Sequence, residues 1–374
     1  MVAEALGCAA VGIWTYLLFG RGGFWRLRVE DPVASKNTAA SVAVVIPARD
    51  EADVIGLAVR SLKAQQYSGR IDVFVVDDAS SDGTAEAARG VTVLSAGALP
   101  AGWTGKLWAL SRGVERASAS NPDWILLTDA DIVHAPGNIA SLVARAQAGG
   151  LDLASIMVRL RCSTLAERAL IPAFLFFFLK LYPPRWIADS RSRTAGAAGG
   201  CILIRPSMLE RIGGIASIRG ELIDDCALAR KVKAAGGRIW MGVSLDSVSL
   251  RGYAGFGEMG RMIARTAFTQ LRYSWLLVLG AVAGMLATYV AGPALLIWGP
   301  SVWARGLGAA AWALMIAAYW PSLRFYGMTA VWALVWALML PAVAVFYTAA
   351  TLYSGWAHWR GRGGGWKGRY FTGK

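Results

Sequence analysis

Histidine is almost absent from this 374-residue chain, which has only His134 and His358. A histidine-built metal centre is therefore excluded. Cysteine is scarce as well. Cys8, Cys162, Cys201 and Cys226 are widely separated and form no C-x-x-C pair. That spacing argues against a zinc site or a disulfide framework and leaves reduced thiols as the default. Acidic residues are outnumbered, 24 Asp and Glu against 38 Lys and Arg, for a net charge of +14. Such an excess points to an anionic partner: nucleic acid, a lipid surface or a phosphorylated substrate. No nucleic-acid-binding module is recognisable, so nucleic acid is not expected. A purely soluble chain is excluded by a hydrophobic content of 56%.

The apolar residues that are present are unevenly placed. Residues 5–19 form an uncharged run, short for a full span, and Arg21, Arg26 and Arg28 follow it. Glu4 stands where a signal peptide would carry basic residues, so 1–20 reads as a membrane anchor whose C-terminal end faces the cytoplasm. Three more apolar segments close the chain, at 275–297, 306–320 and 328–353. The last is long enough to cross a bilayer and the middle one is short. The tail, 354–374, is Gly-rich and basic. Three full spans after a cytoplasmic domain would carry that tail outside, against the positive-inside rule, so one segment is expected to be re-entrant or interfacial. Residues 256–274 predict a basic amphipathic helix on the membrane surface, with Arg261, Arg265 and Arg272 on one face beside Met259, Met262, Ile263 and Ala267. The aromatic run ALIPAFLFFFLKLYPP, ending at Pro184, is too short to span. It reads equally well as a buried core helix or as a segment in the membrane interface beside a lipid acceptor.

Between these segments, 41–255 reads as one α/β domain. Strand signals at 42–46, 71–76, 91–94 and 124–128 alternate with helix signals at 53–64, 84–89 and 106–117. The alternation predicts a doubly wound, mostly parallel sheet, with the first strand ended by Pro47. Ligands of such sheets bind beyond the carboxyl ends of the strands. Four stretches fall there. VVIPARDEA supplies Arg49, Asp50 and Glu51; VVDDASSDGT supplies Asp77 and Asp78; GWTGKLWAL supplies Lys106; and WILLTDADIVH supplies Asp129 and Asp131. Carboxylates accept hydrogen bonds from the N–H and O–H groups of a nucleoside, and a diphosphate needs cations. Two carboxylates one residue apart suit Mg²⁺ or Mn²⁺, with substrate phosphates completing the shell. Each stretch alone is explained as well by an acidic turn or a solvated lysine; their order in one chain favours a joint site.

That order, PARDEA, VVDDASSDGT, GK and TDAD, resembles the family 2 glycosyltransferases of the Rossmann-like GT-A fold. PAFLFFFLKLYPP, AGGCILIRPSMLERIGG, LIDDCALARKVKAAGG, SLRGY and ARTAFTQLRYSW narrow the resemblance to the membrane glycosyltransferases associated with hopanoid biosynthesis. It implies a multi-pass enzyme of a bacterial-type inner membrane, with its catalytic domain in the cytoplasm and a divalent cation as cofactor. The enzyme would move a sugar, with inversion, from a nucleotide-diphosphate sugar to a lipid hydroxyl, a hopanoid among the candidates. Residue by residue, Pro47, Arg49, Glu51, Asp77, Asp78, Lys106 and Asp129 would hold the nucleotide and diphosphate. Asp129 and Asp131 would hold the metal. Asp225, beside Asp224, would be the general base, although acids at the start of a helix also suit its dipole. Related synthases carry Q-x-x-R-W on the interfacial helix. Here Thr269 and Tyr273 replace the first and last of these, and Arg272 keeps the cation, as a leaving-group stabiliser or a headgroup anchor. A ceramide- or polyprenyl-phosphate-type transferase and a non-catalytic sugar-nucleotide-binding scaffold are the competing readings.

Overall fold

A strand buried at every residue has no face for water and belongs in the middle of a sheet. Strand β1 (Val42–Ala48) is of this kind. It pairs in parallel with β2 (Ile71–Asp77) on one side and with β4 (Trp124–Thr128) on the other, and β3 (Thr92–Ser95) extends the sheet beyond β2. Strands β5 (Ile132–His134), β6 (Leu153–Arg159), β7 (Cys201–Ile204) and β8 (Ile239–Ser249) complete an eight-stranded sheet in the order β3-β2-β1-β4-β7-β6-β8-β5. β7 runs antiparallel to both β4 and β6, and β5 antiparallel to β8, so the alternation seen in the sequence holds for the first half of a mixed sheet. The order reverses between β1 and β4, which is the position where such sheets bind ligands.

β1 runs past Pro47 to Ala48. Pairing with β4 stops at Val45, and the proline follows it, opposite Val76 of β2. The Ala52–Lys63 helix buries Ile55, Ala58, Val59 and Leu62 and leaves Leu57 exposed. The Gly105–Ser118 helix starts at Thr104, whose side chain accepts from Leu107 N–H. It lies close on the sheet because Gly113 has no side chain: a Cβ there would stand 2.4 Å from Val45 Cγ1.

The computed structural model describes residues 1–29, 39–361 and 363. The chain divides into two units, the sheet unit above and a helical unit formed by 1–27, 162–185 and the described residues from 252 onward. In the helical unit Val2–Gly20, Trp275–Trp298 and Val302–Phe325 are long and apolar enough to cross a membrane. The middle segment of the C-terminal region is thus not short. Arg305 interrupts the apolar run without interrupting the helix, and Ser301 caps its start. The final segment is two helices, Ala330–Leu338 and Leu340–Trp359, bent by 53°. Leu165–Leu181 is a core helix. Its capping box pairs Thr164 with the buried Glu167, and Phe177 packs edge-on against Tyr289 and Tyr347. Phe256–Gln270 is amphipathic, burying Met259, Ile263, Ala264 and Phe268 and exposing Arg261 and Arg265. Most of the basic tail lies outside the described residues.

Candidate active site

β4 leaves the sheet at Thr128, whose hydroxyl donates to Gly200 O at 2.7 Å and lies 3.0 Å from His134 Nε2. Ile132 N–H turns back to Asp129 O, so 129–132 is a tight turn between β4 and β5 that presents Asp129 and Asp131. On one side, Lys106 Nζ stands 2.9 Å from Asp129 Oδ1 and 3.0 Å from Asp224 Oδ2. Lys106 occupies the first turn of the Gly105–Ser118 helix, and Asp224 and Asp225 begin the Asp224–Ala234 helix. Asp225 is held by two backbone donors, Gly199 N–H to Oδ2 at 2.9 Å and Cys226 N–H to Oδ1 at 2.7 Å. Ile223, which precedes the helix, offers it no side-chain cap, so the Asp225 carboxylate takes up one of its first-turn amides. Pro47, Lys106, Asp129, Gly199, Asp224 and Asp225 line one cleft. A Cβ at Gly199 would fall 3.4 Å from Asp225 Oδ2 and 3.5 Å from Lys106 Nζ, filling space within it.

The charges of this cleft act on one another. Burial works against the Lys106 ammonium, yet Asp129 and Asp224 outweigh it and hold the group above its ordinary range. Burial raises Asp129, helped by Asp131 and opposed by Lys106. Burial and the neighbouring Asp224 push Asp225 up to about 6, against Lys106 and the two N–H donors. Adjacent carboxylates thereby differ in character, one paired with a cation and the other raised toward neutrality.

On the other side of the turn, Asp131 Oδ2 accepts from Ser249 Oγ at 2.5 Å and lies 3.8 Å from Arg251 Nε. Arg251 Nη2 also meets Glu51 Oε1 at 2.5 Å. At the ends of β1 and β2, Arg49 Nη1 donates to Asp78 O and lies 3.6 Å from the buried Asp78 carboxylate. Asp77 Oδ2 accepts from Ser80 N–H at 3.3 Å, whereas its Oδ1 is buried and takes no hydrogen bond. A buried acceptor of this kind calls for a partner from outside.

The sheet unit thus sets Pro47, Lys106, Asp129, Asp224 and Asp225 on one cleft, links Glu51 to Asp131 through Arg251, and pairs Arg49 with Asp78 beside Asp77. Arg272 is not among them. It belongs to the helical unit, two residues past the end of the Phe256–Gln270 helix, exposed and with φ +52°. It does not share the helical face of Arg261 and Arg265, because the helix has already ended. Ser249, Arg251 and Gly199 were not singled out from the sequence. Their signals, SLRGY and a Gly-Gly before a strand, acquire meaning only when β7 is paired with β4 and β8 with β5.

Residues 43–213 match the model of glycosyl transferase family 2. The matched stretch holds every site residue from Pro47 to Asp131 and ends before Asp224. No curated protein matches the chain. Among solved structures, a mannosyltransferase from Pyrobaculum calidifontis in complex with GDP-Man and Mn²⁺ is similar at 20% identity over 95% of this chain and 99% of that one, with a TM-score of 0.57. Glucosyl-3-phosphoglycerate synthase from Mycobacterium tuberculosis is 20% identical over 62% of this chain and 79% of that one, with a TM-score of 0.42. The fold is α/β and GT-A-like. The family match on that fold supports a glycosyltransferase dependent on a nucleotide sugar.

Proposed function

We propose that this is a membrane-embedded, inverting glycosyltransferase that moves a sugar from a nucleotide-diphosphate donor to the hydroxyl of a lipid, within hopanoid biosynthesis. The observation that carries the reading is the contrast within one cleft: Asp224 tied to Lys106, and Asp225 raised to about 6 beside it. A general base works best with a pKa near the working pH.

Asp77, Asp78 and Glu51 accept from the nucleoside, and the orphaned Asp77 oxygen supports this assignment. Among the described residues no three His, Cys, Asp or Glu side chains gather to hold a metal. Asp129 and Asp131, close enough to raise Asp129, fit a Mg²⁺ or Mn²⁺ that takes its remaining ligands from the donor diphosphate. The Pyrobaculum structure with GDP-Man and Mn²⁺ is consistent with that cofactor. Held by Asp129 and Asp131, such a cation would supply charge neutralisation for the departing nucleoside diphosphate. Lys106 does the same from the other side of Asp129. Asp225 takes the acceptor hydroxyl proton as its oxygen attacks the anomeric carbon on the face opposite the leaving group, so one displacement inverts the centre. Arg272, in the helical unit, is assigned to a lipid headgroup.

The helical unit supports a lipid acceptor. Leu276, Trp298, Trp303 and Val331 face outward, as residues against acyl chains do. The test is a lipid profile by mass spectrometry of cells with and without the protein, paired with a panel of sugar nucleotides. A glycosylated lipid should vanish with the protein. An unchanged profile counts against the function, and a vanishing ceramide- or polyprenyl-linked sugar would replace the hopanoid by that acceptor.

A further inference from the structure

Each acid of the pair assigned to the divalent cation already has a cation of the chain beside it. Asp129 has Lys106 at 2.9 Å, and Asp131 has Arg251 at 3.8 Å. The two are not equivalent. Lys106 is clamped between Asp129 and Asp224, and its side chain is 20% exposed. Arg251 is farther from its acid, and its side chain is 38% exposed. Its shorter contact runs to Glu51, on the nucleoside side of the site. Asp131 does not depend on Arg251 for its position. Ser249 Oγ donates to its carboxylate, and Leu250 N–H donates to its backbone carbonyl at 2.8 Å. The guanidinium can therefore leave while the acid stays.

We propose that Arg251 is a resident counterion for the Asp129–Asp131 pair, displaced when a divalent cation binds, and that it links cation binding to nucleotide binding through Glu51. The proposal rests on the cation site described above. With two carboxylates and, among the described residues, no third, that site is incomplete until a diphosphate arrives. Without a nucleotide, the incoming cation competes with a guanidinium already in place. With one, ribose hydroxyls or base N–H groups engage Glu51, and the diphosphate offers Arg251 a bidentate acceptor that suits it better than a 3.8 Å ion pair. Arg251 moves from the acid to the phosphate, and the cation takes its place. An ion pair of this length, with its guanidinium partly open to solvent, is worth little, so the competition is set at about fivefold in affinity.

The experiment is Mn²⁺ binding to the full-length, detergent-purified protein, followed by the electron paramagnetic resonance of free Mn²⁺. It is run with Mn²⁺ alone and then with UDP or GDP. The native protein should bind Mn²⁺ weakly alone and more tightly with the diphosphate it accepts. Arg251→Gln should bind Mn²⁺ alone about fivefold more tightly and gain less from the nucleotide. Arg251→Lys, which keeps the charge, should follow the native protein. If Arg251→Gln binds Mn²⁺ alone no better than the native protein, while Asp131→Asn still weakens binding, Arg251 is no counterion and the cation site stands. If neither Asp129→Asn nor Asp131→Asn alters Mn²⁺ binding, the cation site itself is wrong and this proposal falls with it.

Discussion

Asp225 and Asp224 are adjacent in sequence and chemically alike, yet the fold separates their roles. Asp224 has Lys106, whereas Asp225 has two backbone N–H groups and a burial cost that exceeds them. Asp225→Asn should therefore keep nucleotide binding and lower transfer by about 10²- to 10⁴-fold, measured with purified protein and separate binding and turnover assays. Unchanged transfer would remove Asp225 from the mechanism. The proposed base must be deprotonated to act, so transfer should rise as pH increases through about 6, where burial and Asp224 place Asp225, and level off above it. A profile already flat from pH 5 upward would contradict that. His134 carries a second pH effect, on stability. It is buried among Thr128, Ser247 and Asn138, and burial lowers its pKa to about 4. Unfolded, it protonates near 6.5, so between pH 6.5 and 4 the unfolded chain binds more protons. The stability from this residue is complete above pH 6.5 and lost as pH falls toward 4, by up to about 3 kcal/mol. Unfolding midpoints of the native protein and His134→Gln should converge as pH falls from 7 to 5; parallel curves would refute the assignment.

At the scale of elements, the site is made by ends. β1, β2 and β4 point their carboxyl ends the same way because they are parallel, so Arg49, Asp77 and Asp129 emerge on one edge. That much was legible in the sequence, since an aliphatic run followed by acids is a local pattern. β7 and β8 were less legible. They are short or irregular, and they pair antiparallel with β4 and β5 across long stretches of chain, so no local period announces that Gly199 will meet Asp225 or Ser249 will meet Asp131. The turn between β4 and β5 is pinned from both sides, so Asp131→Ala should weaken metal-dependent nucleotide binding while the protein stays folded. A native titration with Mn²⁺ or Mg²⁺ would count against it. In the helical unit, Gly308 of Val302–Phe325 lies so close to the preceding span that a Cβ would stand 2.6 Å from Gly292 O and from Leu296 N. Small residues permit such backbone contact between membrane helices. Gly308→Leu should cost about 1–3 kcal/mol, read as a lower melting temperature in detergent. An unchanged melting temperature would show that the two helices separate freely.

For the whole molecule, the bend in the last helix pair bears on topology. The basic tail conflicted with three full C-terminal spans. Two continuous 24-residue helices followed by a pair bent by 53° remove the conflict if the bent pair re-enters, because the tail then returns to the side of Arg21, Arg26 and Arg28. A cysteine placed at the C-terminus should be protected from an impermeant thiol reagent in intact cells and labelled after permeabilisation; labelling in intact cells would make the pair a full span. Composition and order alone determined the class of the protein. Apolar runs, excess positive charge and four acidic or basic stretches at strand ends specify an α/β domain with helices apolar enough to cross a membrane, because each is a local property of a few consecutive residues. Tertiary structure alone decided the rest. It made the aromatic Leu165–Leu181 helix a core element, took Arg272 off its expected helical face, divided two adjacent aspartates into an ion pair and a raised acid, and set Arg251 between Glu51 and Asp131. Burial, close approach of charges and strand pairing across long stretches of chain have no trace in a local window, and they are what turns these side chains into a site.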